Sequence, residues 1–364
     1  MNRAHLADNI LMAIKQEGQV FSVLPCNDLQ ADIAFYTREL DMQLDRLYPS
    51  EKPHSAELSG RGLSLLLDTR HQGAPGLLVI KTEEPLRNPL HSPSGTELRW
   101  ERTAEPHVQS FANHRVEICT LRSTPWITGR AGTHTRDLIP SRLGGGIMAS
   151  HIRIPNGGPV RDRVHYHTTE FQLLFCVQGW IQLVYEDQGP PITLQAGDCV
   201  TQPPHIRHRV METSNGLEVI EVGTPAEHVT AIDNDMELPN SRVDSHRLFH
   251  GQRFCHYVHK DARWQPHRLP GLAAAETGVA EATAGIAGAR MLKASGASPA
   301  YRTSHGAQVL FSYVVAGSVR INRQLLVAGD AFTLPPGEDY SLGDISADLS
   351  VLELSLPGKF DTRI

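Results

Sequence analysis

Segments in which apolar and polar residues alternate run through the C-terminal two thirds of the chain. Alternation with a period of two is typical of β-strands that bury one face. Two such segments, "FQLLFCVQGWIQL" (171–183) and "VLFSYVVAGSVRI" (309–321), carry a glycine at the same place, Gly179 and Gly317. Gly-Asp and Pro-Pro turns follow in "LQAGDCVTQPP" and "LVAGDAFTLPP". The pattern predicts short antiparallel strands joined by tight turns.

The two segments belong to an internal repeat. "RLGGGIMASHIRI" corresponds to "ATAGIAGARMLKA" (282–294), and "GLEVIEVGTP" corresponds to "DLSVLELSLP" (348–357). Each copy has the length and turn spacing of a small β-barrel. We therefore predict two tandem barrels, at 124–233 and 262–358, with a polar linker at 234–261 between them.

The first part of the chain has a different pattern. "VFSVLPCND" alternates like a strand, "LQADIAFYTRELD" has helical spacing, and "MQLDRLYP", "HSAELSGRGLSLLLD" and "GLLVIKT" are typical of strands. The order predicts a small α+β module of the type βαβββ at 18–103, preceded by a short amphipathic helix at 1–17.

The wording "NDLQADIAFYTRELDMQL" followed by "SGRGLSLLL" resembles the vicinal-oxygen-chelate (glyoxalase-like) module. That family normally pairs two such units around a metal, whereas this chain shows one convincing unit. Phe21 stands about where the family has its first-strand histidine. The resemblance therefore implies a structural or dimerising role for the module.

Composition narrows the classes of function. The chain has 364 residues and a net charge of −6, and its charges are interspersed, so we expect neither nucleic acid nor an anionic membrane as a partner. The five cysteines are scattered without a Cys-x-x-Cys pair, which argues against a disulfide framework and a cysteine-type zinc site. Without a signal peptide or a transmembrane run, we expect a cytoplasmic protein, and we expect it to be a homodimer.

The stretch "RVHYHTTEFQ" (163–172) contains the first candidate metal ligands. Residues two apart share one face of a strand, so His165 and His167 point the same way. His208 follows the Gly-Asp turn in "GDCVTQPPHIRHRV", on a strand that can run back across the barrel. Three imidazoles converging inside an apolar barrel need a partner, and a divalent transition metal is one.

At these residues the chain resembles the cupin superfamily. The first cupin motif maps onto His165, His167 and Gly179, with Gln172 at the usual glutamate position, and the second maps onto Gly197, Pro203 and His208. There, His205 replaces a glycine of the motif. The nearest wording is that of the ChrR-like group, which keeps the glutamine. The resemblance implies two cupin jelly-roll barrels and a mainly β protein.

The second copy departs from the motifs. Thr303 and His305 align with the histidine pair, Leu310 with the acid position, and Tyr340 with the histidine of the second motif. One histidine cannot hold a divalent metal alone, so we expect the second barrel to be a degenerate structural copy.

The role of Gln172 is open at this point. Its separation from His167 has the wrong parity for one continuous strand, so a bend at 168–170 must turn it inward. Gln172 could then be a weak or direct ligand, or a hydrogen-bonding group behind the ligands. Glu170 is the rival oxygen donor, although an exposed turn carboxylate is the simpler interpretation.

Three neutral histidines leave the full charge of the ion available to an anionic, oxygen-chelating substrate. Because cupins with three histidines include iron dioxygenases, the resemblance makes a mononuclear iron(II) dioxygenase the leading hypothesis, acting with O2 on a diketone, a hydroxylated aromatic or a hydroxy or keto acid. The alternative is a non-redox isomerase or lyase using manganese, nickel or zinc, with Glu170, His205 or Tyr185 moving the proton. A third hypothesis is a metal-binding or sensing protein without turnover.

Overall fold

The structure is a computed structural model that describes residues 19–102, 111–112, 114–129, 132–297 and 299–364. The amphipathic helix predicted at 1–17 lies outside the described residues. The chain divides into two compact units, Met1–Glu105 and Pro106–Ile364. No helix in the described part of the chain is long and apolar enough to cross a membrane.

The described residues of the first unit form one helix and seven strands. Its elements are β1 (Ser22–Pro25), α1 (Leu29–Leu40), β2 (Gln43–Tyr48), β3 (Ser55–Gly60), β4 (Leu63–Asp68), β5 (Leu77–Thr82), β6 (Leu90–His91) and β7 (Glu97–Arg102). Helix α1 begins where the Asp28 side chain accepts a hydrogen bond from the Ala31 amide, and ends at Asp41, which has a left-handed conformation. The apolar face of the helix packs on the sheet through Ile33 and Tyr36.

The first unit forms two sheets. One has the strand order β1-β4-β3-β2, with β1 parallel to β4, and corresponds to the predicted module. The "GLLVIKT" segment does not join it, because β5 pairs in parallel with β7 in a second sheet of order β5-β7-β6. The partner strand β7 lies far along the chain, and alternation alone does not reveal which strand pairs with which.

The second unit begins with β8 (Glu117–Cys119) and continues into the first barrel. Its strands are β9 (Ile127–Thr128), β10 (His134–Asp137), β11 (Met148–Ile154), β12 (Gly158–Pro159), β13 (His165–His167), β14 (Phe171–Gln178), β15 (Trp180–Tyr185), β16 (Ile192–Gln195), β17 (Cys199–Thr201), β18 (His208–Thr213), β19 (Leu217–Thr224) and β20 (Thr230–Ile232). A 3₁₀ turn lies at Arg142–Gly145.

The segment between the barrels also carries strands. It contains β21 (Leu248–Phe249), β22 (Gln252–Arg253), β23 (His256–Tyr257) and a 3₁₀ turn at His259–Asp261. Leu238, Phe249 and Tyr257 are buried. The polar linker predicted at 234–261 is thus packed structure, because a few widely spaced apolar residues anchor it.

The second barrel repeats the order of the first. Its elements are β24 (Gln265–Pro266), β25 (Leu272–Glu276), α2 (Val279–Ala282), β26 (Gly288–Ala294), β27 (Tyr301–His305), β28 (Val309–Ala316), β29 (Ser318–Ile321), β30 (Gln324–Val327), β31 (Ala331–Leu334), β32 (Tyr340–Gly343), β33 (Ser350–Leu356) and β34 (Thr362–Arg363).

Each barrel is a sandwich of a larger and a smaller sheet. The first combines the order β23-β17-β14-β19-β11-β10-β9 with β16-β15-β18-β13-β20, and the second combines β24-β25-β26-β33-β28-β31-β8 with β30-β29-β32-β27-β34. The strands at the sheet edges are exchanged: β8, which precedes the first barrel, pairs with β31, and β23 pairs with β17. The exchange ties the two barrels together.

A continuous apolar core joins the two larger sheets. Phe171, Phe175, Phe311 and Tyr313 are at most 2% exposed and belong to one cluster. The opposite faces of the same strands line the barrel interiors; Leu174 and Cys176, for example, belong to a separate cluster inside the first barrel. One face of β14 therefore holds the barrels together and the other is available for a site.

Candidate metal centre

The three predicted histidines meet inside the first barrel. One nitrogen from each of His165, His167 and His208 lies within 4.8 Å of the others. His165 and His208 are direct cross-strand partners on β13 and β18. The strand that brings His208 opposite the pair is thus β18, the antiparallel neighbour of β13.

The protein binds the same nitrogen of every ring. Nδ1 of His165 lies 2.7 Å from the carbonyl oxygen of Arg163, Nδ1 of His167 lies 2.9 Å from Oγ1 of Thr230, and Nδ1 of His208 lies 3.0 Å from the carbonyl oxygen of Ile206. Within the described residues, no Nε2 of the three rings has a hydrogen-bond partner. Since a ligand histidine usually donates its other N–H to the protein, this is the arrangement expected of metal ligands.

Burial keeps His167 and His208 neutral. Burial, together with His165 and His228, lowers the pKa of His167 to about 3. Burial, with His165 and His167 close by, holds the pKa of His208 well below its usual value. Neutral imidazole is the form that binds a metal ion.

Gln172 reaches the interior as the parity argument predicts. The chain leaves strand geometry at 168–170, so β14 restarts at Phe171 with Gln172 and Leu174 facing inward. Gln172 is 1% exposed, and its Nε2 donates a hydrogen bond of 2.6 Å to Oε1 of Glu221. The buried Oε1 atom of Gln172 has no partner among the described residues.

Tyr185 lies beside the histidines. It is the cross-strand partner of His208, and the two rings stack with centroids 5.5 Å apart. Its Oη accepts a hydrogen bond of 3.1 Å from Nε2 of Gln202, and the Phe254 ring covers it at 4.6 Å. Burial raises the pKa of Tyr185, which keeps its hydroxyl protonated. Tyr185 is thus the one of the three predicted proton-transfer residues that lines the interior.

The other two are placed differently. Glu170 is exposed in the bend between β13 and β14. His205 lies in the loop before β18, with its ring stacked between Tyr166 at 5.2 Å and His250 at 4.4 Å. Its φ of 64° explains why the cupin motif has glycine at this position. Neither residue belongs to the cluster of candidate ligand atoms.

Two interior residues escaped the sequence analysis. The ring of His228 lies 5.5 Å from that of His167, and Glu221 holds the amide of Gln172. His228 follows both motifs and nothing in their spacing marks it. The sequence did contain a sign of Glu221, because "VIEV" and "VLEL" place Glu221 and Glu353 at the same position of the two copies of the repeat.

The second barrel keeps the scaffold without the ligands. Thr303 pairs with Tyr340 just as His165 pairs with His208, which supports the alignment of the copies. A cavity of only about 30 Å³ remains in its interior, lined mostly by leucine, isoleucine, valine and aromatic side chains. Glu353 is 3% exposed and lies 2.9 Å from a guanidinium nitrogen of Arg268. The described residues of this barrel contain no cluster of candidate ligands.

The donor set of the first barrel fits a divalent transition metal. Three neutral imidazoles suit iron, zinc, copper and nickel, and a carbonyl oxygen suits manganese. The unpartnered Oε1 of Gln172 is a further reason for a cation, because a buried carbonyl oxygen without a partner is costly.

Comparison with known proteins agrees with this architecture. Residues 150–223 match the family model of the cupin domain. A variant of the Bacillus subtilis oxalate decarboxylase has a TM-score of 0.50 at 13% identity, covering 71% of this chain and 81% of that chain. The Lactobacillus farciminis oxalate decarboxylase in complex with formate has a TM-score of 0.50 at 14% identity, covering 70% and 89%. No curated protein matches the chain.

These likenesses confirm the fold predicted from the sequence. The first barrel contains a cupin domain, and the chain is mainly β with the jelly-roll architecture of two-barrel cupins. At such low identity the solved structures show the fold alone.

Proposed function

We propose that the first barrel is the active site of a metal-dependent enzyme in which His165, His167 and His208 hold one divalent transition metal. The substrate is a small molecule that chelates the ion through two oxygen atoms. One observation carries the proposal: all three Nδ1 atoms are bound by the protein, whereas the three Nε2 atoms have no partner among the described residues.

We favour a mononuclear iron(II) dioxygenase that uses O2 as its second substrate. Iron supplies the reactivity toward dioxygen when it is bound. The chain itself orients the imidazoles, excludes water with Phe254 and Tyr185, and keeps the Tyr185 hydroxyl protonated. The positions of Glu170 and His205 outside the ligand cluster count against a mechanism that depends on proton transfer by them.

Metal analysis and oxygen uptake test this proposal. Protein purified without added metal should contain one iron per chain, and a panel of diketones, catechols, hydroxy acids and keto acids should contain a substrate that triggers oxygen consumption. A His208→Ala variant should lose both. Iron-loaded protein that consumes no oxygen with any member of the panel would exclude the dioxygenase.

A second candidate is a non-redox lyase or isomerase that uses manganese, nickel or zinc. The Tyr185 hydroxyl favours it, because it is a proton-carrying group that faces the interior of the first barrel beside His208. The oxalate decarboxylases that share the fold make oxalate a sensible member of the panel. Substrate loss under anaerobic conditions would identify this class. Tight metal binding without turnover in either assay would instead favour a binding or sensing protein.

A further inference from the structure

We propose that Glu221 is a positioning residue of the metal centre, which orients Gln172 and supplies the carboxylate charge that the cupin glutamate position lacks here. The inference deepens the proposed function and rests on it, since it requires an ion in the first barrel. With Glu221 included, the site has one more negative charge than three histidines and a neutral amide provide.

The hydrogen bond between the two residues fixes the amide. An ionised carboxylate only accepts hydrogen bonds, so the NH2 group of Gln172 must face Glu221, as it does at 2.6 Å. The carbonyl oxygen then points away from Glu221. It is buried and has no partner among the described residues, so Gln172 presents an acceptor that a cation can satisfy.

Glu221 lies on the interior side of the barrel. On β19 it shares a face with Val219, whose side chain is in the interior cluster, whereas Ile220 and Val222 pack between the barrels. Its carboxylate therefore lies on the same side of the barrel wall as the Gln172 side chain, to which it is hydrogen-bonded.

The second barrel supplies an internal comparison. Glu221 is paired with Leu174 and Ser150 across its two neighbouring strands, and Glu353 is paired in the same way with Ser312 and Arg290. The two glutamates therefore occupy equivalent positions.

Their counter-charges differ. Glu353 forms ion pairs with Arg268 at 2.9 Å and with Arg290 at 3.4 Å. Glu221 forms no ion pair with any described residue, and the position equivalent to Arg290 is Ser150. A metal ion in the first barrel would supply the positive charge that the described neighbours of Glu221 do not. Arginines take this role in the second barrel.

Cobalt(II) binding tests the proposal without reference to activity. Cobalt affinity is measured by competition with a chelator, and its visible absorption spectrum reports the ligands. Glu221→Gln keeps a hydrogen-bond acceptor but removes the charge and lets the Gln172 amide turn over. We expect cobalt to bind about 10- to 100-fold more weakly, as for other groups that orient a metal ligand, with a changed absorption spectrum. Glu353→Gln, at the equivalent position of the second barrel, should leave both unchanged.

A charge swap separates this role from a general effect on folding. The double variant Glu221→Gln with Gln172→Glu reverses the hydrogen bond and returns one carboxylate to the pair, so it should recover most of the lost affinity. Circular dichroism and thermal unfolding of the metal-free variants establish that each is folded. Wild-type affinity in Glu221→Gln, or a double variant as weak as the single one, would overturn the proposal. Failure of the wild type to bind any divalent metal would instead overturn the proposed function.

Discussion

Replacing His167 by alanine should abolish the stabilisation that a metal ion gives to the folded protein. An ion that binds only the folded state stabilises it by about 2.7 kcal/mol at a free concentration 100 times its dissociation constant. For a unit the size of Pro106–Ile364, each kcal/mol shifts the unfolding midpoint by about 2–4 °C. The wild type should therefore gain roughly 5–10 °C on addition of metal.

The variant loses one of three ligands. Loss of a group that merely orients a ligand costs about 10- to 100-fold in affinity, so loss of a ligand should cost at least the upper value. At the same metal concentration the ratio of free metal to dissociation constant falls to about one or below. The stabilisation then falls to at most about 0.4 kcal/mol, or a shift of about 1–2 °C.

His305→Ala is the matched control. His305 is buried at the position of the second barrel that corresponds to His167, but the positions of His165 and His208 are taken there by Thr303 and Tyr340. The assay is thermal unfolding by differential scanning calorimetry, with and without metal, at neutral pH. His305→Ala should keep the full metal-dependent shift even if its metal-free midpoint changes. Retention of the shift in His167→Ala, or its loss in His305→Ala, would refute the assignment of the ligands.

Three other changes test the packing and the interior. Phe311 is fully buried between the larger sheets, so Phe311→Ala should destabilise the unit by about 3–5 kcal/mol in calorimetry. Leu325→Ala, at a position that is 46% exposed, is the control and should change the stability little. Tyr185→Phe leaves the buried Nε2 of Gln202 without its acceptor and should cost about 1–3 kcal/mol in urea unfolding, with the metal content unchanged. A parallel loss of metal would contradict the assignment of the three histidines, without Tyr185, as the ligands. Burial lowers the pKa of His267 from 6.5 to about 4, so the stability due to neutral His267 is complete above pH 6.5 and is lost as the pH falls toward 4. Between those limits the free energy of unfolding of the wild type should fall by up to about 1.4 kcal/mol per pH unit more than that of His267→Gln. If urea unfolding shows the same pH dependence for both proteins, the lowered pKa of His267 is refuted.

The sequence predicted those features of the fold that depend on residues close together in the chain. The alternation, the Gly-Asp turns and the two-residue spacing of His165 and His167 are short-range signals. They predicted the two barrels, the internal repeat and the strand that carries the two histidines. The break at 168–170 followed from parity alone and is present in the structure. The separate pairing of β5 with β7 and the exchange of β8 and β23 were missed, since each joins segments distant in the chain.

The same limit applies within the site. The motif positions identified His208 on a strand that runs back, but motif spacing does not say that this strand is the direct neighbour of the one carrying His165. Glu170 was considered for its nearness to the motif, yet its side chain is exposed. His228 reaches the site through a loop after β19, so only the three-dimensional structure reveals it.

The two barrels share one scaffold but surround the equivalent glutamate with different groups. The repeat retains a glutamate on β19 and on the equivalent strand β33, and each glutamate needs a positive neighbour. In the second barrel Arg268 and Arg290 meet that need, and the histidine positions have become Thr303 and Tyr340. In the first barrel Ser150 stands at the position of Arg290, and three imidazoles whose Nε2 atoms have no partner among the described residues lie inside the same barrel. Under the proposed function, an ion held by the three histidines would carry less effective charge than those ligands alone suggest, because Glu221 accepts the hydrogen bond of Gln172.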